Sequence, residues 1–513
     1  MLHLKHDILR QMADFKKLLK IKIIIKWGYI NMSYDTNSGL KLKCLGFKDL
    51  LAQSIATIGP SGAPIIALTM VAASAGNGTW LSFVIAAIGV ILIGKNINCF
   101  AGDYSGTASL YGYIIKGIGP KTGVVGGWAL NIAYICCGAS VAPLCAKYLN
   151  VIINPIGINI NPILIVGIVS FVAWFLAWKD ISLSSKIMLY IEFFSLIIGT
   201  ILAFIIVLKL GVNIDIAQLK IKSFSPSGVM QGTILAFMCM AGFESATMLG
   251  DEAKEPLKNI PKAVTLSAII SVFYYIFNSY AYISAYRFLN GNYSASQAPV
   301  TEVAGHFGLS ALAVILTIGT VISALAVVLA SINAGARGLY EMSRNGILSN
   351  DISRTHKKNK TPHIAIAIVS IITFLVPSVL ILFKVELSEI WGLVGSIAAF
   401  GFLTTYLLID IAAPIYLYHK KRLKLRNILI SIIGGISVLI PFAGSLYPIP
   451  PYPNNLLVYI FAILLTSGLI TFLWKCKKQP DIVANLNLQL DANYNSFQKE
   501  RYNKSKDNQE AVI

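Results

Sequence analysis

The chain has 513 residues, 56% of them hydrophobic and 13% charged, where an ordinary soluble domain holds about 45–50% and about 25%. The apolar residues fall in long unbroken runs, and about 20 such residues take a helix across a bilayer. A soluble enzyme, a disordered chain and a secreted disulfide scaffold are thereby excluded. Net charge is +19, from 42 Lys and Arg against 23 Asp and Glu, an excess that would fit a nucleic-acid binder but for its placement. The 7 cysteines are odd in number and irregularly spaced. Cys136 and Cys137 adjoin, and Cys99, Cys145 and Cys239 lie in or beside apolar runs. They support neither a disulfide framework nor a metal site and read as small residues buried among helices. No cofactor is implied.

In chain order, residues 16–26 come first, reading KKLLKIKIIIK. Lys20, Lys22 and Lys26 interrupt the apolar core that a signal peptide needs, and no small-residue cleavage site follows. The segment reads as a basic surface helix, with Met32 an alternative start. A basic N-terminal segment, 1–48, leads into a membrane domain over 49–475. A polar tail, 476–513, follows; from Gln479 it is rich in Asn and Lys and expected to be disordered. The membrane domain holds 12 apolar runs, read as spans at 49–74, 79–98, 123–146, 162–178, 183–208, 228–249, 263–286, 309–333, 363–383, 390–416, 428–447 and 455–474. Barrel strands would show segments of about ten residues alternating apolar and polar. Long runs in hydrocarbon must satisfy their own backbone and are helices. The expected fold class is an all-α polytopic membrane protein.

With the N-terminus inside and the spans alternating, inside segments carry 36 of the 42 Lys and Arg and outside segments carry 6. Basic residues concentrate on the cytoplasmic side, so both termini are expected in the cytoplasm, beneath a bacterial-type inner (plasma) membrane. The charge is an orientation signal rather than a nucleic-acid footprint.

Two spans depart from an ordinary helix. The first reads AQSIATIGPSGAPIIALTMVAA, with Gly59, Pro60, Gly62 and Pro64 within six residues. Prolines remove backbone donors and glycines relax the chain, so the span is either kinked or broken. The sixth has a weak point at Ala241-Gly242-Phe243-Glu244, either a helix-packing contact or a second break. These spans open two groups of five, 1–5 and 6–10. An odd-numbered repeat places its second copy upside down, and interruptions at matching positions point to a mid-membrane site. A break frees amide N–H groups at one half-helix start, suited to a carboxylate, and carbonyls at the other end, suited to an ammonium. A zwitterion such as an α-amino acid presents both.

Three acids lie inside spans: Glu192, Glu244 and Asp410. Each costs about 2.5–3.5 kcal/mol on insertion scales and needs a reason. Glu244, just past the second weak point, either bonds freed backbone amides and holds a break open or carries a proton. Glu192 is either a packing partner or a coupling group. Asp410, near the inner end of span 10, is expected to reach interfacial water. The 6 histidines lie in loops or at span ends and offer no relay or metal site.

The stretch GFESATMLGDEAKEPLKNIPKAV (242–264) closely resembles the span 6–7 signature of the amino acid–polyamine–organocation (APC) permeases. It matches at Gly242-Phe243-Glu244, Glu252-Ala253-Lys254, Pro256 and Ile260-Pro261-Lys262-Ala263. GTASLYGYIIKGIGPKTGVVGGWAL (106–130) is similar to the family's loop into span 3, and ARGLYEMSRNGILS (336–349) to its helix after span 8. The resemblance covers roughly residues 48–475. It implies 12 helices, two inverted five-helix repeats plus two, with substrate held between broken spans 1 and 6. The substrate carboxylate then falls to Ser61 and the amides of Gly62 and Ala63. The amino group falls to the carbonyls of Ile58, Met238 and Ala241, beside Gly242. Pro60 stands where many relatives have glycine. Met238 stands where some have an aromatic gate, leaving occlusion to Phe237 or Phe243. Span 5 lacks the lysine of proton-coupled relatives; Ser195 is near its place, with Glu192 one turn before.

The leading expectation is a secondary active transporter of an amino acid or related amine, by proton symport or exchange. A mostly apolar pocket side favours a neutral amino acid. No G-x-x-x-x-G-K-[ST] motif supports ATP-driven transport, and no interfacial acidic cluster supports a membrane enzyme. The alternative is an ion channel or another membrane protein without carrier activity, although no pore loop or ring of like charge is evident.

Overall fold

The structure, a computed structural model, describes residues 39–62, 67–104, 106, 108–154, 157–211, 215–289, 291, 293, 296, 299–447, 449–484 and 486. The basic stretch at 16–26, the alternative start at Met32, and Ala63 lie outside the described residues.

Every predicted span is present. Eleven helices are long and apolar enough to cross a membrane, and the interrupted first span makes the twelfth. Span 1 consists of Phe47–Ile58 and Ala67–Ala75, separated by a break. Span 2 is Thr79–Ala101, span 3 Pro120–Ile153, span 4 Pro162–Lys179 and span 5 Ile181–Lys209. Span 6 is Pro226–Met240 followed by a break, span 7 Pro256–Phe288, span 8 Ser310–Arg344, span 9 His363–Leu382 and span 10 Leu387–His419. Spans 11 and 12 are Leu425–Leu446 and Leu457–Lys478. Several starts are set by residues that satisfy the free amides of a first helical turn. Asn161 accepts from the Ile163 N–H ahead of Pro162, Asp180 from the Ser182 N–H, and Ser225 from the Gly228 N–H ahead of Pro226.

The packing obeys a five-span repeat. Span 1 packs on spans 5 and 7, and span 6 packs on spans 10 and 2. Span 3 packs on spans 9 and 10, and span 8 packs on spans 4 and 5. A short helix, Ser109–Ile118, packs on span 3, which it precedes, as Pro299–His306 does on span 8. Exchanging the halves, by adding five to span numbers 1–5 and subtracting five from 6–10, turns each of these contacts into its counterpart. Five is odd, so the second half crosses the membrane in the opposite sense. Spans 11 and 12 lie outside the repeat, span 11 against spans 2, 6 and 10 and span 12 against spans 3 and 10. Phe171, Phe193 and Phe273 are among the large apolar side chains left exposed, as a bundle with lipid for solvent allows.

Two expectations are corrected. The tail does not leave the fold at Gln479: Ile482 and Leu486 are buried with Tyr111, Ile115, Met342 and Phe472. Their apolar surface finds a hollow beneath the Ser109–Ile118 helix that the surrounding polar sequence conceals. Asp410 does not reach the interface. It is 3% exposed, and its Oδ1 accepts a 2.7 Å bond from Asn96 Nδ2 on span 2.

Candidate substrate site

Span 1 stops at Gly59, whose N–H bonds the Ile55 carbonyl at 2.9 Å with a left-handed φ of 58°. Glycine is needed here for that φ and for space, since a Cβ would meet Val327 Cγ2 at 2.3 Å. Pro60 cannot donate to the preceding turn, and a 3₁₀ turn, Pro60–Gly62, follows; the described chain is next helical over Ala67–Ala75. Span 6 stops at Met240. Ala241 is extended, with φ −66° and ψ 154°, and Gly242 has φ 89°. The chain resumes as a 3₁₀ turn, Ser245–Leu249.

The segments beside the breaks are fastened together by short polar side chains. The Thr57 and Ser245 hydroxyls are 2.8 Å apart, and the Ser245 hydroxyl also donates to the Gln53 carbonyl at 3.2 Å. The Ala246 N–H donates to Ser54 Oγ at 3.1 Å. Gln53 Nε2 reaches across to the Ala330 carbonyl of span 8 at 2.8 Å.

Glu244 is fully buried. Its Oε1 accepts from the Tyr134 hydroxyl of span 3 at 2.8 Å and its Oε2 from the Tyr406 hydroxyl of span 10 at 2.6 Å. Tyr406 in turn accepts from the Gly242 N–H at 3.1 Å. The carboxylate thus holds the amide freed by the break through an intermediate tyrosine. Glu192 is buried on span 5 and accepts from the hydroxyl of Ser323 on span 8.

A cavity lies where the breaks meet, lined by Thr57, Ile58, Gly59 and Gly62 of span 1 and by Met238 and Cys239 of span 6. The other walls come from spans 3 (Cys137, Ser140, Val141, Leu144), 7 (Tyr275), 8 (Thr320, Ser323, Ala324, Val327) and 10 (Trp391, Ala398, Phe402). Among these described lining residues none is charged.

Of the residues expected to bind substrate, Ile58, Gly62 and Met238 line the cavity. Ser61 belongs to the 3₁₀ turn. Ala241, Gly242 and Phe243 are buried in the span 6 break but are not among the lining residues. The two phenylalanines suggested as occluding groups do not face the cavity. Phe237 packs into the notch at Gly89 of span 2, and Phe243 lies against Tyr406 with ring centroids 5.6 Å apart. The walls from spans 3, 7, 8 and 10 escaped sequence reasoning, because their helix faces cannot be oriented from apolar runs alone. From span 7, Tyr275 donates to the Cys239 carbonyl at 2.9 Å.

On the side of the membrane where both ends of the described chain lie, the bundle is sealed. Arg337 of span 8 donates from Nε and Nη2 to the two oxygens of Glu252 at 2.5 and 2.7 Å, with both side chains fully buried. The strand-like segment before span 1 pairs with the segment after span 6. The Leu45 N–H bonds the Glu252 carbonyl at 2.9 Å and the Lys254 N–H bonds the Leu45 carbonyl at 2.7 Å. Lys41 bonds Asp180, between spans 4 and 5, at 2.7 Å. Burial pushes the Asp180 carboxyl up, but bonds from Lys41 and the Ser182 amide outweigh it and hold the group below its ordinary value. The same bond raises Lys41.

Comparison with known proteins places the chain that carries these two broken helices. The profile of the amino acid permease family matches residues 49–478. The chain belongs to this family, within the APC superfamily. The permease is 25% identical over 441 residues to the branched-chain amino acid permease BcaP of Bacillus subtilis (strain 168), covering 83% of this chain and 88% of that one. It is 23% identical over 393 residues to cationic amino acid transporter 4 of Mus musculus, covering 72% of this chain and 59% of that longer one. Among solved structures, a manganese transporter mutant, H236A, of Eremococcus coleocola aligns with TM-score 0.50 over 89% of this chain and 97% of its own, at 10% identity. That likeness bears on the fold alone. The permease is an integral membrane transporter, not an enzyme.

Proposed function

We propose that the permease is a secondary active carrier of neutral, apolar amino acids, working by alternating access. One observation carries this reading: the cavity between the two breaks is lined by the hydroxyl residues Thr57, Ser140, Thr320 and Ser323 and by apolar residues, with no charged side chain among the described lining residues. The substrate carboxylate is assigned to the turn at Ser61, Gly62 and Ala63. In this state the Gly62 N–H holds only a 3.3 Å bond to the Gly59 carbonyl, so it can be redirected. The ammonium is assigned to the Ile58 carbonyl and the hydroxyls of Ser140 and Thr320. The substrate side chain then meets Val141, Leu144, Met238 and Trp391, which suits leucine, isoleucine or valine. A cationic side chain would need a facing acid. The similarity to a branched-chain permease supports the same choice.

Accumulation is assigned to proton symport or exchange. Glu192 touches the cavity wall through Ser323 and is the first coupling group to test, with Glu244 the second. Uptake runs towards the side carrying most of the Lys and Arg, the cytoplasm of a bacterial-type cell. The reading is tested by thermal shift of the purified permease, since a ligand of the folded state raises its melting temperature. Leucine, isoleucine and valine are expected to stabilise it, and arginine, lysine and putrescine are not. The reverse ranking would overturn the substrate class. Gly62→Val is expected to abolish the shift by filling the notch, and wild-type affinity in that variant would move the site elsewhere. If Glu192→Gln and Glu244→Gln both keep pH-driven accumulation at normal rates, neither couples protons.

A further inference from the structure

Asp410 plays no part in the cavity, yet it is the acid whose setting is least complete. It lies between spans 2, 10 and 11, and it is 3% exposed. Its Oδ1 accepts from Asn96 Nδ2 at 2.7 Å, and its Oδ2 has no hydrogen-bond partner. On span 11, Gly434 makes room for the carboxyl: a Cβ there would meet Oδ2 at 2.8 Å. Among the described residues no second donor and no cation bonds it. On span 2, Lys95 precedes Asn96 and Cys99 lies three residues after it; neither is bonded to Asp410. Tyr416 lies six residues along span 10, where its hydroxyl bonds Asp103 at 2.7 Å, and Asp103 is also paired with Arg422 at 3.0 Å. Arg426 is eight residues before Gly434 on span 11. On the neighbouring Ser109–Ile118 helix, Tyr113 stacks on Phe100 and Lys116 sits in the last turn. The charged groups around Asp410 therefore have other partners or stand at the ends of their elements.

Position gives this carboxyl leverage on the substrate site. Asp410 is four residues after Tyr406 on span 10, so both lie on one face of the helix. Tyr406 is the residue that holds the Gly242 amide and Glu244. Any movement of span 10 against spans 2 and 11 that wets Asp410 also pulls on the span 6 break.

We propose that Asp410 is a proton-binding site of the carrier, holding a proton on Oδ2 while the terminal side is sealed and releasing it when that side opens. A proton on Oδ2 leaves a neutral acid whose carbonyl oxygen accepts from Asn96, which needs no counter-ion in this setting. Opening admits water, the acid ionises, and span 10 is carried away from the position in which Tyr406 closes the break. The inference rests on the carrier reading above, and its test separates the two.

The permease is reconstituted into liposomes, and radiolabelled leucine is followed in two modes: uptake driven by a pH gradient, and leucine–leucine exchange at equal pH. Exchange needs the carrier but no net proton movement. Asp410→Asn is expected to keep exchange within about twofold while losing the stimulation by a pH gradient and flattening the pH profile of uptake. Undiminished stimulation in Asp410→Asn, or exchange without any stimulation in the wild type, overturns the proposal. Should Asp410→Asn not fold, Asn96→Leu, which removes the one bonded donor, is expected to move the midpoint of the uptake profile by about one pH unit, and an unmoved midpoint overturns it. Should the wild type exchange no amino acid, the carrier reading fails, and infrared difference spectroscopy of the substrate-free permease still decides the site. A protonated-carboxyl C=O band that is lost in Asp410→Asn and shifted in Asn96→Leu supports it, and a band unchanged in both overturns it.

Discussion

Gly242 of span 6 sits directly against Thr57 of span 1, so closely that a Cβ on the glycine would meet Thr57 Cγ2 at 2.4 Å. The contact joins the two broken spans beside the cavity, and Gly242 also has φ 89°, a conformation L residues seldom adopt. Gly242→Ala therefore meets two penalties. Backbone strain alone costs about 1–3 kcal/mol, and the methyl group separates the half-helices. Lower thermal stability is expected together with loss of leucine-induced stabilisation. A variant with unchanged melting temperature and ligand shift would show that the breaks need not touch.

Tyr406 offers a milder test of the same region. Its hydroxyl donates to Glu244 and accepts from the Gly242 N–H, so Tyr406→Phe removes one oxygen and strands two buried partners. A buried group left without its partner costs about 1–3 kcal/mol. The ring still packs on Phe243 and Phe402, and the fold is expected to survive with transport reduced at least tenfold. Tyr134→Phe, which removes the other bond to Glu244, should be less severe, because Tyr134 does not hold the amide. Comparing the two variants in leucine exchange checks this order.

How far the sequence carried the reading depends on range. The breaks at Gly59 and Gly242 were legible because glycine and proline act on their own backbone, whatever surrounds them. Glu244 stood out as an acid beside the second break, but its partners did not, since Tyr134 and Tyr406 come from spans more than a hundred residues away. Phe237 was misjudged for a related reason. It is next to Met238 in sequence, and successive helix residues point about 100° apart, so one faces the cavity while the other fills the notch at Gly89. Ile482 and Leu486 were lost in a polar tail because two apolar residues make no run, although they are buried among Tyr111, Ile115, Met342 and Phe472.

Arg337 and Glu252 form the buried lock on the terminal side. Removing one partner of a buried ion pair costs about 3–5 kcal/mol, whereas replacing both with apolar residues of similar volume is often neutral. Arg337→Met alone is expected to lower the melting temperature sharply by leaving Glu252 unpaired. Arg337→Met with Glu252→Leu should recover much of that stability but not transport selectively gated at this side. The check is thermal melting of the three proteins together with labelling of a cysteine placed in the seal. Equal melting temperatures for the single and double variants would mean the pair is not the lock.

Lys41 and Asp180 close the same side at its rim, and here the dependence on pH has a definite sign. Bonds from Lys41 and the Ser182 amide hold the Asp180 carboxyl below its ordinary value. A group depressed in the folded state stabilises it above the unfolded pKa, about 3.9 for Asp, and loses that contribution as pH falls through the folded value. Lys41 is raised by the same bond, so its contribution is present below about pH 10.4 and fades as pH rises through the folded value. The pair therefore acts between these limits. With side-chain exposures of 42% and 34%, solvent and salt screen it, and its worth is about 0–1 kcal/mol. Asp180→Asn is expected to melt slightly below the wild type at pH 7 in low salt, with the gap narrowing at high salt and closing as pH falls through the folded value of Asp180. Asn keeps an acceptor for the Ser182 N–H, so a gap that persists at acid pH would show that the loss does not come from the charge of Asp180.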